Sequence, residues 1–203
     1  MSSTRLDALD YACLNYVLEN HEVNPSGVDL GCGLGVPSTL CALAGARVLA
    51  IDVKDFSTRF ARLSELFPSI ELTFERHHLA ELAAENLPEA LDFVYSQRTL
   101  HYLRYGDALT VLAGVFRNLR EGGRAFLSVS GLASELGGGY DGDHAVERRF
   151  AHLGEPMARL HRITTEVCLY LPDEFADLGK RAGLQPVRIW QSAFGNVKGV
   201  FRK

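Results

Sequence analysis

One short stretch, VDLGCGLGVPS at residues 28–38, constrains the fold of this chain more than any other. Apolar residues lead into three glycines at alternate positions, Gly31, Gly33 and Gly35, and Pro37 follows them. Glycine permits positive φ and the close approach of a ligand, and proline is favoured in the first turn of a helix. The stretch therefore predicts a buried strand, a tight turn and a helix whose free N–H groups face a polar, nucleotide-like ligand.

A second apolar run, residues 46–51, ends at Asp52. A carboxylate at the tip of a second strand can accept hydrogen bonds from both hydroxyls of a ribose. The dinucleotide-binding pattern requires a glycine at the sixth position counted from Gly31, and Val36 stands there. The pattern is therefore atypical of a nicotinamide-dependent oxidoreductase, although such an enzyme would share the same kind of sheet.

Residues 29–35 (DLGCGLG) together with Asp52 resemble the class I S-adenosylmethionine-dependent methyltransferases. Later segments are similar to the same family, namely LHYL at residues 100–103 and the LPDEF stretch at residues 171–175. The resemblance implies an α/β fold with a Rossmann-like, doubly wound and mostly parallel seven-stranded sheet. That sheet ends in a C-terminal antiparallel hairpin and carries helices on both faces. We expect residues 1–203 to form one domain.

The resemblance also implies S-adenosyl-L-methionine as cofactor. The residues then expected to contact it are Asp29, Gly31, Cys32, Gly33, Gly35, Asp52, Val53, His78, Leu79, Ser96 and Gln97. His78 departs from the family, which usually has an aspartate near this position to bind the adenine amino group. The imidazole or a backbone carbonyl would have to replace it. Adjacent histidines such as His77 and His78 rarely ligate one metal, and no metal site is predicted.

The implied reaction is methyl transfer to a small-molecule acceptor, with O-methylation favoured because of His101. This histidine follows the fourth predicted strand, and an imidazole can accept a proton near neutral pH. It also fits a packing or helix-capping role. A non-catalytic S-adenosylmethionine-binding regulatory module is the main alternative to an enzyme. The DPPY-type tetrapeptide typical of methylation on base or glutamine amino nitrogens is absent after that strand.

Four further segments receive structural predictions. Residues 5–20 have the apolar spacing of an amphipathic N-terminal helix. In the resembling family an insertion after the fifth strand commonly forms the acceptor lid, and the resemblance implies this role for residues 131–170, which contain several arginines and histidines. Within this segment, glycines 137–139 predict a flexible hinge or an open loop. Residues 79–85 and 146–153 predict two short helices.

The composition narrows the possible partners. The net charge of −4, without a long basic block, argues against a dedicated nucleic-acid surface, because phosphate binding requires clustered lysine and arginine. The four cysteines lack CxxC spacing and predict buried thiols in a reducing compartment. Neither a signal peptide nor an apolar run long enough to cross a bilayer is found. We therefore expect a cytoplasmic protein without membrane contact, and a homodimer is compatible with this sequence.

Overall fold

Seven strands form one sheet in the order β3-β2-β1-β4-β5-β7-β6. The computed structural model describes residues 6–82 and 86–203. The strands are β1 (Ser26–Leu30), β2 (Arg47–Asp52), β3 (Glu71–Arg76), β4 (Leu91–Gln97), β5 (Leu119–Val129), β6 (Gln185–Gln191) and β7 (Val197–Arg202). The first five are parallel, and β7 pairs antiparallel with both β5 and β6. The predicted fold class, including the C-terminal hairpin, is confirmed.

Helices cover both faces of this sheet. They are α1 (Ala8–Glu19), α2 (Val36–Leu43), α3 (Ser57–Leu66), α4 (Tyr105–Asn118), α5 (Glu155–His161) and α6 (Pro172–Arg181). Successive side chains of a strand point to opposite faces. In β1, Val28 and Leu30 therefore join the core under α4 and α6, whereas Asp29 faces the side of α1 and α2 together with Tyr95.

The chain reverses its winding direction between β1 and β4, which are neighbours in the sheet although β2 and β3 lie between them in sequence. In open α/β sheets a crevice forms at such a point, beyond the carboxyl ends of the strands. The tips of β1, β2 and β4 all reach this edge. The topology therefore places residues 31–35, Asp52 and Gln97 around one crevice.

Helix α1 begins at Ala8, inside the predicted range of residues 5–20, and residue 5 lies outside the described part of the chain. Its start is fixed by a reciprocal capping box. The Asp7 carboxylate accepts the Leu9 N–H (2.8 Å), and the Asp10 carboxylate accepts the Asp7 N–H (2.7 Å). Two N–H groups that helix geometry leaves unpaired are satisfied in this way.

Two predicted helices are wrong where the structure describes them. Residues 79–85 contain only the 3₁₀ turn Leu79–Glu81, and residues 83–85 lie outside the described part of the chain. Residues 146–153 contain only the 3₁₀ turn Val146–Arg148. The chain then extends, because Ala151 exchanges both backbone hydrogen bonds with Val167 (2.8 and 3.0 Å) and leaves the helical ladder.

The segment 131–170 has a small core of its own, built on Leu136, Tyr140, Leu153, Val167 and Leu169. Of the three glycines predicted to form a flexible hinge or open loop, Gly137 ends the 3₁₀ turn Glu135–Gly137 and is packed, whereas Gly138 and Gly139 are exposed. A Cβ on Gly137 would lie 1.9 Å from the Leu132 carbonyl oxygen.

A buried ion pair fastens this segment to α6. Both guanidinium N–H groups of Arg149 reach the Glu174 carboxylate, at 2.6 and 2.7 Å. The Glu174 carboxylate also accepts the Leu171 N–H (2.8 Å) at the start of α6. The segment is therefore tied to the main sheet through α6 as well as through its two ends.

Two helical glycines provide a matched test of the packing between α6 and the sheet. A Cβ on Gly179 would lie 2.2 Å from the Phe201 ring, whereas a Cβ on Gly106 meets nothing within 4 Å. We expect Gly179→Ala to lower the free energy of unfolding by about 1–3 kcal/mol through overpacking. Gly106→Ala should raise it by a few tenths to about 1 kcal/mol, because alanine favours the helix. Urea unfolding followed by circular dichroism measures both, and equal effects would contradict the packing described.

Candidate functional site

The turn after β1 has the conformation that its glycines predict. Gly31, Gly33 and Gly35 have φ values of 78°, 52° and 71°, in the left-handed region. At two of them a side chain is also excluded by space. A Cβ on Gly31 would lie 2.2 Å from the Thr99 hydroxyl oxygen, and one on Gly35 would lie 2.5 Å from the Phe60 ring. Helix α2 follows at once, with Gly35 as its N-cap and no side chain covering its first N–H groups.

The turn is held against the tip of β2 by backbone and carboxylate hydrogen bonds. The N–H groups of Gly31 and Cys32 donate to the Ile51 carbonyl oxygen (2.8 and 3.0 Å). The Asp52 carboxylate accepts the Gly33 N–H (2.9 Å) with one oxygen and the Lys54 N–H (2.9 Å) with the other. Each carboxylate oxygen keeps a second acceptor site. A half-buried, oriented carboxylate of this kind can bind a vicinal diol.

Asp29 lies beneath the turn and is 3% exposed. Its carboxylate accepts a hydrogen bond from the Ser38 hydroxyl (2.5 Å) on α2. The pKa of Asp29 is raised to about 7, mainly by burial and to a lesser extent by the charges of Asp10 and Asp52, while the Ser38 hydrogen bond opposes the rise. Three acidic side chains therefore share this part of the molecule, and the site favours a cationic group.

The beginning of α1 lies on the same edge of the sheet. The Asp7 carboxylate accepts the Gln97 side-chain N–H (2.8 Å) and pairs with the ammonium group of Lys198, which is 4% exposed. The buried Asp10 carboxylate accepts the Tyr95 hydroxyl. These contacts join α1 to β4 and β7, so the helix covers the crevice from one side.

Sequence reasoning missed Asp10, Tyr95 and Lys198. The acid spacing of Asp7 and Asp10 resembles a capping box and could have suggested a fixed helix start. A lysine inside the apolar strand sequence VKGVF is also unusual, since lysine is rarely buried without a partner. No local pattern pairs that lysine with Asp7, because the two residues stand near opposite ends of the chain.

The other predicted contact residues have mixed surroundings. Ser96 is buried, and its hydroxyl donates to the Leu30 carbonyl oxygen (2.8 Å), which leaves its side chain engaged within the sheet. Cys32 is buried in the turn, and Val53 is half exposed at the tip of β2. His78 caps the turn at Leu79, because its Nδ1 accepts the Ala80 N–H (3.3 Å). Their contacts with a ligand stay predictions.

His101 lies in the 3₁₀ turn Leu100–Tyr102 after β4 and is 2% exposed. Its Nε2 is 3.4 Å from the Ser130 hydroxyl, and its Nδ1 has no hydrogen-bond partner among the described residues. Burial, and after it the charge of Arg98, lowers the pKa of His101 to about 3. The imidazole is therefore neutral at physiological pH and can accept a proton, although as a weak base.

The residues that the structure describes contain no group of three or more histidine, cysteine or acidic side chains placed to hold a metal ion. Within the same ranges, no helix combines the length and the apolar character needed to cross a bilayer. All four cysteines are buried free thiols. Of these, Cys13 on α1 and Cys41 on α2 lie with their sulfur atoms 3.9 Å apart.

Comparison with known protein families identifies residues 28–123 with a family described as a methyltransferase domain. A ubiquinone biosynthesis O-methyltransferase from Pseudomonas putida is 31% identical over 123 residues, which cover 53% of this chain and 52% of that protein. A protein of the same name from Xanthomonas campestris is 32% identical over 120 residues, covering 59% and 47%. The chain therefore spans about half the length of the relatives it matches.

Solved structures match over nearly the whole chain. An S-adenosylmethionine-dependent methyltransferase from Mesorhizobium loti has a TM-score of 0.71 at 20% identity, covering 97% of this chain and 98% of the other. A 1,6-didemethyltoxoflavin-N1-methyltransferase from Burkholderia thailandensis, solved with 1,6-didemethyltoxoflavin and S-adenosylhomocysteine, has a TM-score of 0.67 at 18% identity. That alignment covers 100% of this chain and 93% of the other. These likenesses establish a shared fold.

The raised pKa of Asp29 predicts a pH dependence of stability. The unfolded chain ionises this carboxyl near its ordinary pKa of 3.8, whereas the folded protein keeps the proton up to about pH 7. Between these two pKa values folding requires the carboxyl to take up a proton, so the stability of the folded protein falls progressively as pH rises, by up to roughly 4 kcal/mol. Asp29→Asn keeps an acceptor for Ser38 and removes the titration. Urea unfolding measured between about pH 4 and pH 7 should show the free energy of unfolding of the variant rising relative to that of the wild type as pH rises. An equal pH dependence of the two free energies would contradict the raised pKa of Asp29.

Proposed function

We propose that this chain is a class I S-adenosylmethionine-dependent methyltransferase that transfers a methyl group to a small-molecule acceptor. The match of residues 28–123 to a methyltransferase domain and the shared fold support this proposal. The observation that carries the proposal is the arrangement of the glycine turn, Asp29 and Asp52 at the crevice between β1 and β4. It offers a diol acceptor, an acidic pocket and an unobstructed backbone within one short stretch of surface.

The charge of the site supports this cofactor over a dinucleotide. S-adenosylmethionine carries a sulfonium and an ammonium group, whereas nicotinamide dinucleotides carry negatively charged phosphates. Asp10, Asp29 and Asp52 surround the turn and interact electrostatically with one another. Negative charges near a diphosphate would weaken its binding, while the same charges favour an ammonium group. The absence of glycine at Val36 points in the same direction.

In this proposal each residue at the turn has a specific task. Asp52 accepts the ribose hydroxyls, since both of its oxygens are oriented by backbone N–H groups. Asp29 balances the ammonium charge of the methionine part. The glycines give the turn its left-handed backbone, and at Gly31 and Gly35 they also leave room for Thr99 and Phe60 to pack against it. When bound, the cofactor supplies an electrophilic methyl group, so the protein mainly has to align the acceptor with it and exclude water.

The acceptor is proposed to bind on the other side of the β4 tip, next to β5 and under the segment 131–170. His101 lies there and is the candidate that takes a proton from an acceptor hydroxyl, which favours O-methylation. The relatives named as O-methyltransferases support this choice. The Cys168 N–H donates to the His101 carbonyl oxygen (2.8 Å), which attaches the segment to the turn that carries this histidine. His101 is 2% exposed, so an acceptor reaches its imidazole only when part of the surrounding structure moves, and a movement of this segment would be in keeping with a lid.

One prediction from the proposed function concerns the binding of the cofactor. Wild-type protein should bind S-adenosylmethionine and S-adenosylhomocysteine with micromolar affinity in calorimetry, and NADH should not bind. Asp52→Ala should weaken both by roughly 100-fold, because charged hydrogen bonds of about 1.5–3 kcal/mol are lost. Asp55→Ala, three residues further on at an exposed aspartate that orders the start of α3, is the matched control. Binding of NADH without either S-adenosyl ligand would refute the proposed function.

Another prediction from the proposed function concerns the role of His101 in turnover. With an acceptor found by screening, His101→Ala should lower kcat by about 10²–10⁴-fold and leave S-adenosylhomocysteine affinity within about twofold. His152→Ala, at an exposed histidine of the segment 131–170, should retain activity. Since the pKa of His101 is near 3, the wild-type rate should show no titration of this group between weakly acidic and weakly alkaline pH. Unchanged turnover in His101→Ala would remove it as the base.

The same experiments separate an enzyme from a binding module. A regulatory module would bind both S-adenosyl ligands, lose them in Asp52→Ala and turn over none of the screened acceptors. The observation that favours this second function is the burial of His101, which is 2% exposed, because a buried imidazole does not contact an acceptor in solution.

A further inference from the structure

Arg98 has a left-handed backbone conformation at the carboxyl end of β4. It follows β4 directly and has a φ of 52°, in a region that residues other than glycine seldom adopt. Its N–H is held there by the Ser128 carbonyl oxygen (3.0 Å) and the Ser128 hydroxyl oxygen (3.1 Å). The surrounding structure thus imposes the conformation, and such imposed strain is concentrated at ligand-binding and catalytic sites.

The position of this residue is the crevice between β1 and β4. The next residue, Thr99, packs its side chain against Gly31 of the glycine turn, and its hydroxyl is 3.4 Å from the Gly31 carbonyl oxygen. The backbone turns away from the sheet at Arg98 and carries the chain toward β5. Arg98 therefore stands between the proposed cofactor site and the elements that cover His101.

The two hydrogen bonds from the Arg98 N–H to Ser128 place this residue on the β5 side of the crevice. Burial lowers the pKa of His101, and the charge of Arg98 lowers it further. Burial raises the pKa of Tyr102, and the charge of Arg98 opposes that rise. Asp52 and the ribose end of the site lie on the opposite side, across β1. The side chain is half-buried, and no carboxylate in the described ranges forms an ion pair with it.

The other basic group near the tip of β4 is already occupied. Lys198 on β7 is buried and paired with the Asp7 carboxylate, which also accepts Gln97. Among the residues that the structure describes, Arg98 has no ion-pair partner, so its positive charge is available at this tip. It lies next to a buried imidazole whose Nδ1 has no partner within the part of the chain that is described.

We propose that Arg98 binds an anionic group of the methyl acceptor, a carboxylate or an ionised phenol oxygen, beside His101. This inference rests on the proposed function and adds the charge of the acceptor to it. A guanidinium presents a planar fork of N–H donors that matches a carboxylate and also stabilises an oxygen anion. A positive charge next to the acceptor would in addition favour ionisation of the hydroxyl that receives the methyl group.

The test measures the binding of paired probes to protein saturated with S-adenosylhomocysteine. One pair is 4-hydroxybenzoate and 4-hydroxybenzamide, and the other is 4-nitrophenol and 4-nitroaniline at mildly alkaline pH. The members of each pair have similar shapes and differ in charge. The proteins are wild type, Arg98→Gln, Arg98→Lys and Arg117→Gln, the last at an exposed arginine near the end of α4.

We expect the anionic member of at least one pair to bind wild type and Arg117→Gln about tenfold more tightly than its neutral partner. Arg98→Gln should abolish this preference, and Arg98→Lys should retain part of it. The pair that shows the preference identifies the anion as a carboxylate or as a phenol oxygen. S-adenosylhomocysteine should bind Arg98→Gln as tightly as wild type, because the guanidinium is assigned to the acceptor.

Three results would overturn the proposal. The first is a large loss of S-adenosylhomocysteine affinity in Arg98→Gln, which would assign the guanidinium to the carboxylate of the donor. The second is the lack of any anion preference in a wild type that binds S-adenosylhomocysteine normally. The third is an equal preference in Arg98→Gln and wild type. Failure of the wild type to bind S-adenosylhomocysteine would instead refute the proposed function itself.

Discussion

The hydrogen bond from the Gly33 N–H to the Asp52 carboxylate is the contact on which the site depends. It joins the turn after β1 to the tip of β2, and the Ile51 carbonyl oxygen strengthens the same junction with two further backbone hydrogen bonds. The turn is built from left-handed glycines and has little intrinsic preference for one shape. The tip of β2 therefore selects its conformation, and the same carboxylate is oriented by two backbone N–H groups. In the proposed function this one carboxylate both fixes the turn and binds the ribose.

A second set of contacts closes the site from the side of α1. Asp7 caps the helix and also pairs with Lys198, while Asp10 completes the capping box and accepts Tyr95. Both carboxylates thus fix the helix start and attach it to the sheet. Breaking either contact would leave a buried polar group unpaired, which costs more than the contact itself contributes. The position of α1 over the crevice is therefore well determined.

Charge divides the carboxyl edge of the sheet into two regions. Asp10, Asp29 and Asp52 make the β1–β2 side acidic, and burial is intense enough to raise the pKa of Asp29 to about 7. Across the tip of β4, Arg98 contributes a positive charge next to neutral His101. A cationic donor and an anionic acceptor would each be drawn to the matching side. Electrostatic sorting of this kind orients two ligands before any close contact forms.

The sequence by itself determined the class of fold and the local geometry of the turn that we propose binds the cofactor. Alternate glycines after an apolar run, followed by Asp52 at the end of the next run, indicate a strand, a turn and a helix through local preferences alone, and the structure has all three. The helices expected at residues 79–85 and 146–153 were not found, because short amphipathic runs carry weak preferences and tertiary hydrogen bonds such as those of Ala151 with Val167 override them.

Only the tertiary structure decided which side chains meet across the chain. Lys198 pairs with Asp7, Arg149 with Glu174, and Arg98 acquires its left-handed backbone from Ser128. Each contact joins segments far apart in sequence, so no local spacing encodes it. The state of His101 also depends on burial, since an imidazole that would titrate near neutral pH in water stays neutral when the folded protein buries it. Residue types determine what chemistry is available, and packing determines which groups are charged, paired or free.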